Sequence, residues 1–124
     1  MLRHAAAVAF VLAVAPPVLA QTAPASDGTT LYQQRCASCH GQSGRGDGEY
    51  AALLSPRPRD FTSGKYKFRS TETGSLPTDD DLSRAITQGL HGSSMPAWQK
   101  FLSPADVQAL VVKVKSFSPR FASE

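Results

Sequence analysis

The sequence predicts a small all-α domain of three to four helices, and three observations carry that reading. Helix-start signals stand at Asp27, Thr78 and Ser103, each followed by apolar residues at spacings near the helical repeat. No β-rich run precedes the first cysteine. Cys36-Ala37-Ser38-Cys39-His40 sets two thiols directly before a histidine, the spacing of a c-type haem attachment site. Each sulfur can add across one porphyrin vinyl group, and the adjacent imidazole can then reach the iron from the same side. The helices are therefore expected to wrap around one covalently bound haem, whose apolar surface supplements a core that is short for so small a domain.

Residues 1–20 read as a secretory signal: Arg3, an apolar run from Ala5 to Ala15, the breaker Pro16-Pro17, and small residues up to Ala20. The apolar run is shorter than the roughly 20 residues that span a bilayer, so cleavage near Ala20 is favoured over a retained anchor. The expected organisation is a leader at 21–26, rich in Ala, Pro, Thr and Ser, a haem domain at 27–121 and a tail at 122–124. The chain carries a net charge of +3, and removing Arg3 leaves 12 basic against 10 acidic residues, or +2. That balance argues for neither nucleic acid nor a stable membrane association.

Asp27 or Ser26 is expected to cap a first helix that carries Leu31, Tyr32, Arg35 and Cys39 and delivers the cysteines at its end. Gly41 to Gly48 holds four glycines in eight residues and reads as a tight loop beside the haem edge. It lacks the strand and the Gly-Lys-Ser/Thr of a phosphate loop, and Arg45-Gly46-Asp47 is read as part of the turn. Glu49 to Leu54 suggests a brief helical turn, and Pro56 and Pro58 force an extended course. Segment 61–77 reads as an ordered loop whose aromatics, Phe61, Tyr66 and Phe68, pack on the haem or on an ordinary core.

Thr78 caps a second helix with Asp79, Asp80 and Asp81 in its first turn and Leu82, Ala85, Ile86 and Leu90 on one face; Gly89 and Gly92 end it. The aspartates read as a helix-dipole feature, not a metal site. Ser103-Pro104-Ala105-Asp106 opens the last helix, whose apolar stripe is Val107, Leu110, Val111, Val114 and Phe117. It is expected to pack on the first helix near Gly28, where a missing side chain lets two backbones approach.

Without the signal, Met95 is the one remaining methionine, and His40 and His91 are the remaining histidines. Met95 lies between Gly92-Ser93-Ser94 and Pro96, poor company for a core filler, and is favoured as the second axial ligand. His91 is the rival and would give bis-histidine ligation. Trp98 could close the pocket or reach a haem propionate. Pro58 or a neighbour could offer a carbonyl to the His40 nitrogen that does not bind iron.

On these residues the chain resembles the class I cytochrome c family over almost all of 27–121. Gly28-x-x-Leu31-Tyr32 ahead of the haem motif and Gly41 is similar to the family's first helix and haem site. Thr78-Asp79-x-Asp81-Leu82, Ile86-x-x-Gly89 and Gly92-x-x-Met95-Pro96-Ala97-Trp98 resemble its distal half. Leu102-Ser103 and Leu110-Val111-x-x-Val114-Lys115 resemble its closing helix. The resemblance implies a small cytochrome c fold, haem c attached through Cys36 and Cys39, axial His40 and Met95, and electron transfer in the periplasm. Lys113 departs from it, standing where relatives often carry an aromatic residue.

The expected function is that of a monohaem electron carrier, not an enzyme, acting between redox protein partners as a monomer or as a subunit of an oxidoreductase complex. A haem-based sensor or peroxidase-like enzyme would need an open sixth position. A thiol oxidoreductase would need free, reactive thiols. Arg57, Arg59, Lys65, Lys67 and Arg69 against Asp60 give a local charge of +4, a candidate docking face for an acidic partner.

Overall fold

A computed structural model describes residues 26–123. The expected signal peptide and most of the leader lie outside these residues. Five helices follow in order: α1 (Gly28–Arg35), α2 (Ala37–His40), α3 (Asp79–Gln88), α4 (Pro104–Lys115) and α5 (Arg120–Ser123), with a 3-10 turn at Ala51–Leu53. Among the described residues there is no strand, and no helix is long and apolar enough to cross a membrane.

Asp27 caps α1, its carboxylate accepting from the Thr30 N–H at 3.1 Å. The single first helix expected from the sequence is two helices. At Cys36 the backbone opens to φ −119°, away from the helical value near −63°, and the chain restarts as α2. The two cysteines thus flank a break: Cys36 closes α1, and Cys39 and His40 sit on the following turn.

Thr78 and Ser103 open α3 and α4 through reciprocal caps. The Thr78 hydroxyl accepts from the Asp81 N–H at 3.1 Å while the Asp81 carboxylate accepts from the Thr78 N–H at 3.0 Å. Ser103 and Asp106 repeat the arrangement, at 3.1 Å in each direction. Asp81 does more than complement the helix dipole. Its buried carboxylate also accepts from the Ser70 N–H at 2.9 Å and hydroxyl at 3.0 Å, and so ties the 61–77 loop to the start of α3.

α4 crosses α1 at Gly28, where a Cβ would lie 2.3 Å from the Ala109 carbonyl oxygen. Val107, Leu110, Val111 and Val114 are buried there with Leu31 and Tyr32, and Leu82, Ile86, Leu102 and Phe61 complete the core. Phe117, expected on the same stripe, is half-buried and tilts against Tyr32 with 4.9 Å between ring centroids. It supplies an aromatic contact between α1 and the end of α4. Lys113 lays its ammonium 4.7 Å from the Phe117 ring centroid and covers that contact from the solvent side. The buried Tyr32 hydroxyl donates to the Gly41 carbonyl at 2.8 Å, fixing α1 to the glycine-rich turn. The short α5 had no signal in the sequence.

Candidate haem site

α2 carries the site. The His40 N–H donates to the Cys36 carbonyl at 2.9 Å, and the His40 carbonyl accepts from the Gly46 N–H at 2.8 Å. The glycine-rich loop therefore folds back onto the end of α2, turning through positive φ at Gly41, Gly44 and Gly46. From Gly44 it reaches the next segment: the Gly44 carbonyl accepts from the Phe61 N–H at 2.7 Å.

That contact positions the histidine. His40 Nδ1 lies 3.1 Å from the Arg59 carbonyl oxygen, the imidazole stacks on Phe61 with centroids 4.5 Å apart and planes 17° apart, and Phe61 itself is buried. A carbonyl can only accept, so Nδ1 carries the proton and Nε2 keeps its lone pair. Burial holds the imidazole below its ordinary 6.5, with the Arg59 hydrogen bond partly opposing the shift, which also favours the neutral ring. The sequence pointed to Pro58 or a neighbour for this carbonyl; the donor is paired with Arg59.

Cys36 and Cys39 are half-buried and unpaired. Burial, and then Cys39 beside it, push the Cys36 thiol up to about 11. A thiol oxidoreductase needs the opposite, a thiol lowered toward neutral pH. Two unpaired thiols flanking a helical turn that ends in an oriented, neutral imidazole fit haem c: sulfurs for the vinyl groups and a nitrogen donor for the iron.

Met95 is half-buried and packs against the same core as Cys36. Its loop is closed by local hydrogen bonds: the Leu90 N–H donates to the Met95 carbonyl at 3.2 Å, and the Met95 N–H to the Ser93 hydroxyl at 3.2 Å. The Trp98 N–H donates to the Ile86 carbonyl at 3.1 Å, which anchors the loop to α3. His91 stands exposed at the tip of this turn. The Trp98 ring, half-buried, meets Phe101 edge-on and carries the Arg35 guanidinium 5.9 Å from its centroid. It links the end of α1 to the methionine loop.

Of the loop aromatics, Phe61 is buried and Tyr66 half-buried, stacked on it at 6.2 Å, while Phe68 is 58% exposed. The sequence offered Phe61 for the haem or an ordinary core and Phe117 for the core stripe; their stacking behind the imidazole depends on long-range packing. A shallow groove of about 350 Å³ between α3 and α4, lined by Ser83, Thr87, Leu102 and Val107, involves none of the haem-motif residues.

Fold and site together define a c-type cytochrome domain, and its cofactor is one covalently bound haem c with its iron. The chain belongs to the family described as cytochrome c oxidase, cbb3-type, subunit III, which it matches over residues 23–112. It is 31% identical over 93 residues to the cbb3-type cytochrome c oxidase subunit FixP of Azorhizobium caulinodans, covering 75% of this chain and 27% of that protein. It is 30% identical over 92 residues to the subunit CcoP of Azospirillum brasilense, covering 74% and 28%. The chain thus spans little more than a quarter of these relatives.

Among solved structures it resembles a chain of the Kuenenia stuttgartiensis reducing HAO-like protein complex, with a TM-score of 0.76 and 43% identity over 79% of this chain and 44% of that one. A c-type cytochrome, KustC0563, matches with a TM-score of 0.50 and 29% identity over 75% of this chain and 99% of that one.

Proposed function

We propose that this chain is an exported, periplasmic electron-transfer domain that passes single electrons between redox proteins through a His40- and Met95-ligated haem, working as a carrier or as a subunit of an oxidoreductase complex. The observation that carries it is the His40 hydrogen bond to Arg59, which leaves Nε2 as a fixed, unprotonated donor at the end of the cysteine turn. When bound, haem c supplies a one-electron ferrous/ferric couple.

The chain's own residues do the rest. Cys36 and Cys39 would hold the cofactor through thioether bonds; His40 and the Met95 thioether would fill both axial positions. Phe61, Tyr32 and Phe117 exclude water behind the imidazole. Both side chains stand on hydrogen-bonded turns, which would hold them in place through a change of oxidation state. The subunit reading draws on the relatives, whose names place them in oxidase and redox complexes.

The basic segment presents Arg57, Lys65 and Lys67 to solvent, whereas Arg69 donates to the Tyr66 and Glu72 carbonyls. These exposed cations suit brief, charge-steered encounters with an acidic partner.

The test joins haem staining after denaturing electrophoresis to voltammetry. Stain retained by the protein and lost in the Cys36→Ser/Cys39→Ser variant, with a reversible one-electron wave, is the expected result. Titratable thiols without covalent haem, or avid carbon monoxide binding by the reduced protein under mild conditions, would overturn it in favour of a thiol oxidoreductase or a sensor.

A further inference from the structure

The family match ends at residue 112, yet the wall behind His40 is completed by residues beyond it. Phe61, on which the imidazole stacks, is stacked in turn on Phe117 at 6.1 Å with planes 19° apart, and on Tyr66 at 6.2 Å with planes 15° apart. Phe121 meets Tyr66 edge-on at 5.9 Å. Arg120 lies between Phe117 and Phe121 in sequence. Its guanidinium donates to the Gly64 carbonyl at 2.9 Å and the Gly74 carbonyl at 3.0 Å, so one planar fork closes both ends of the 64–74 loop.

The clasp spans a half-open cleft of about 220 Å³ lined by Gly64, Lys65, Tyr66, Arg69 and Gly74. The clasp also demands a close approach. Gly64 has φ 60°, and a Cβ there would lie 2.8 Å from Arg120 Cδ and 2.8 Å from Ser118 Oγ.

A continuous path runs from the clasp to the imidazole. The Gly64 N–H donates to the Phe61 carbonyl at 3.1 Å, and the Asp60 carboxylate accepts from the Thr62 N–H at 2.9 Å and hydroxyl at 2.6 Å. Residues 60–64 therefore form one hydrogen-bonded turn. The Arg59 carbonyl that holds His40 is on the peptide entering that turn.

We infer that Arg120 is a positioning residue for the axial imidazole: by clasping the 64–74 loop it holds Phe61 and the Arg59 carbonyl against His40 and so sets the strength of the hydrogen bond at Nδ1. The inference rests on His40 being the axial ligand. A firm Nδ1–H···O bond makes the imidazole a stronger donor and favours ferric iron, so loosening it raises the midpoint potential. Mere loosening of the domain has the opposite sign, because water admitted to the pocket stabilises the ferric charge.

The experiment compares the holoprotein with its Arg120→Ala and Arg120→Lys variants, reading the potential by voltammetry and the exchange of the His40 Nδ1 proton by NMR. Arg120→Ala is expected to raise the potential and to speed that exchange about tenfold; lysine, which keeps a cation and can reach one carbonyl, is expected to recover part of both. An unchanged or lowered potential overturns the inference whatever the exchange does, and so does unchanged exchange. Should Arg120→Ala fail to load haem, Phe121→Leu, which removes the ring from Tyr66, must give a smaller change of the same sign, and no change there overturns it. A wild-type spectrum without low-spin axial histidine signals overturns the ligand assignment as well, and so separates the two failures.

Discussion

Replacing Gly28 by alanine sets two effects of opposite sign against each other. Alanine is the better helix former, and within an open helix the change would stabilise by about 0.5–1 kcal/mol. Gly28 is not open: the added Cβ would lie 2.3 Å from the Ala109 carbonyl oxygen and 2.8 Å from its carbon. Ordinary contact begins near 3.4 Å, so α1 and α4 must separate by about 1 Å at their crossing. That separation loosens Leu31, Tyr32, Leu110 and Val111, which are buried around the same crossing. Overpacking of this kind costs about 1–3 kcal/mol and outweighs the propensity gain. The assay is urea unfolding of the haem-loaded protein, followed by far-UV circular dichroism and checked by heating. The midpoint is expected to fall with an unchanged slope, and Tm to drop by about 4–8 °C for each kcal/mol in a domain of this size. A midpoint equal to or above that of the parent protein would refute the close crossing.

Asp81 makes stability depend on acid. Hydrogen bonds from Ser70 and Thr78 hold its carboxyl at about 2 against an ordinary 3.8, a difference worth about 1–2 kcal/mol once solvent screening is allowed for. Because the folded value is the lower one, this stability is present above pH 4 and lost as pH falls toward 2. Asp81→Asn should be less stable at pH 7 and lose less on acidification, and parallel pH profiles would contradict the assignment. Tyr32→Phe removes the donor to the Gly41 carbonyl and should cost about 1–3 kcal/mol in the same unfolding assay. For the basic segment, oxidation of the reduced protein by ferricyanide should slow several-fold as salt rises and in Lys65→Glu/Lys67→Glu; rates insensitive to both would remove the docking face.

The parts of this fold written in local chemistry were legible. Asp27, Thr78 and Ser103 announced three helix starts because a short oxygen-bearing side chain satisfies bare N–H groups wherever it precedes a helix. Gly28 suggested the crossing because a missing side chain at the start of that helix lets a second backbone approach. Cys36, Cys39 and His40 announced the cofactor through spacing alone. The break at Cys36 was hidden, since the apolar pattern continues through it and only the backbone angle changes. The role of Asp81 was hidden because its second partner, Ser70, is remote in sequence. Arg59 was found only to within a residue, because any carbonyl in the extended stretch after Pro56 could have served. Arg120 and α5 carried no signal: a single arginine reaching two loop carbonyls looks, in sequence, like any surface cation.

The central claim is a closed, six-coordinate haem with His40 on one side and Met95 on the other. It is tested most directly by the spectrum of the purified ferric protein set beside its Met95→Ala variant. The account predicts a weak sulfur-to-iron charge-transfer band in the parent that disappears in the variant, while covalent haem staining persists in both. A band that survives the substitution, or a parent protein that never shows one, would contradict it.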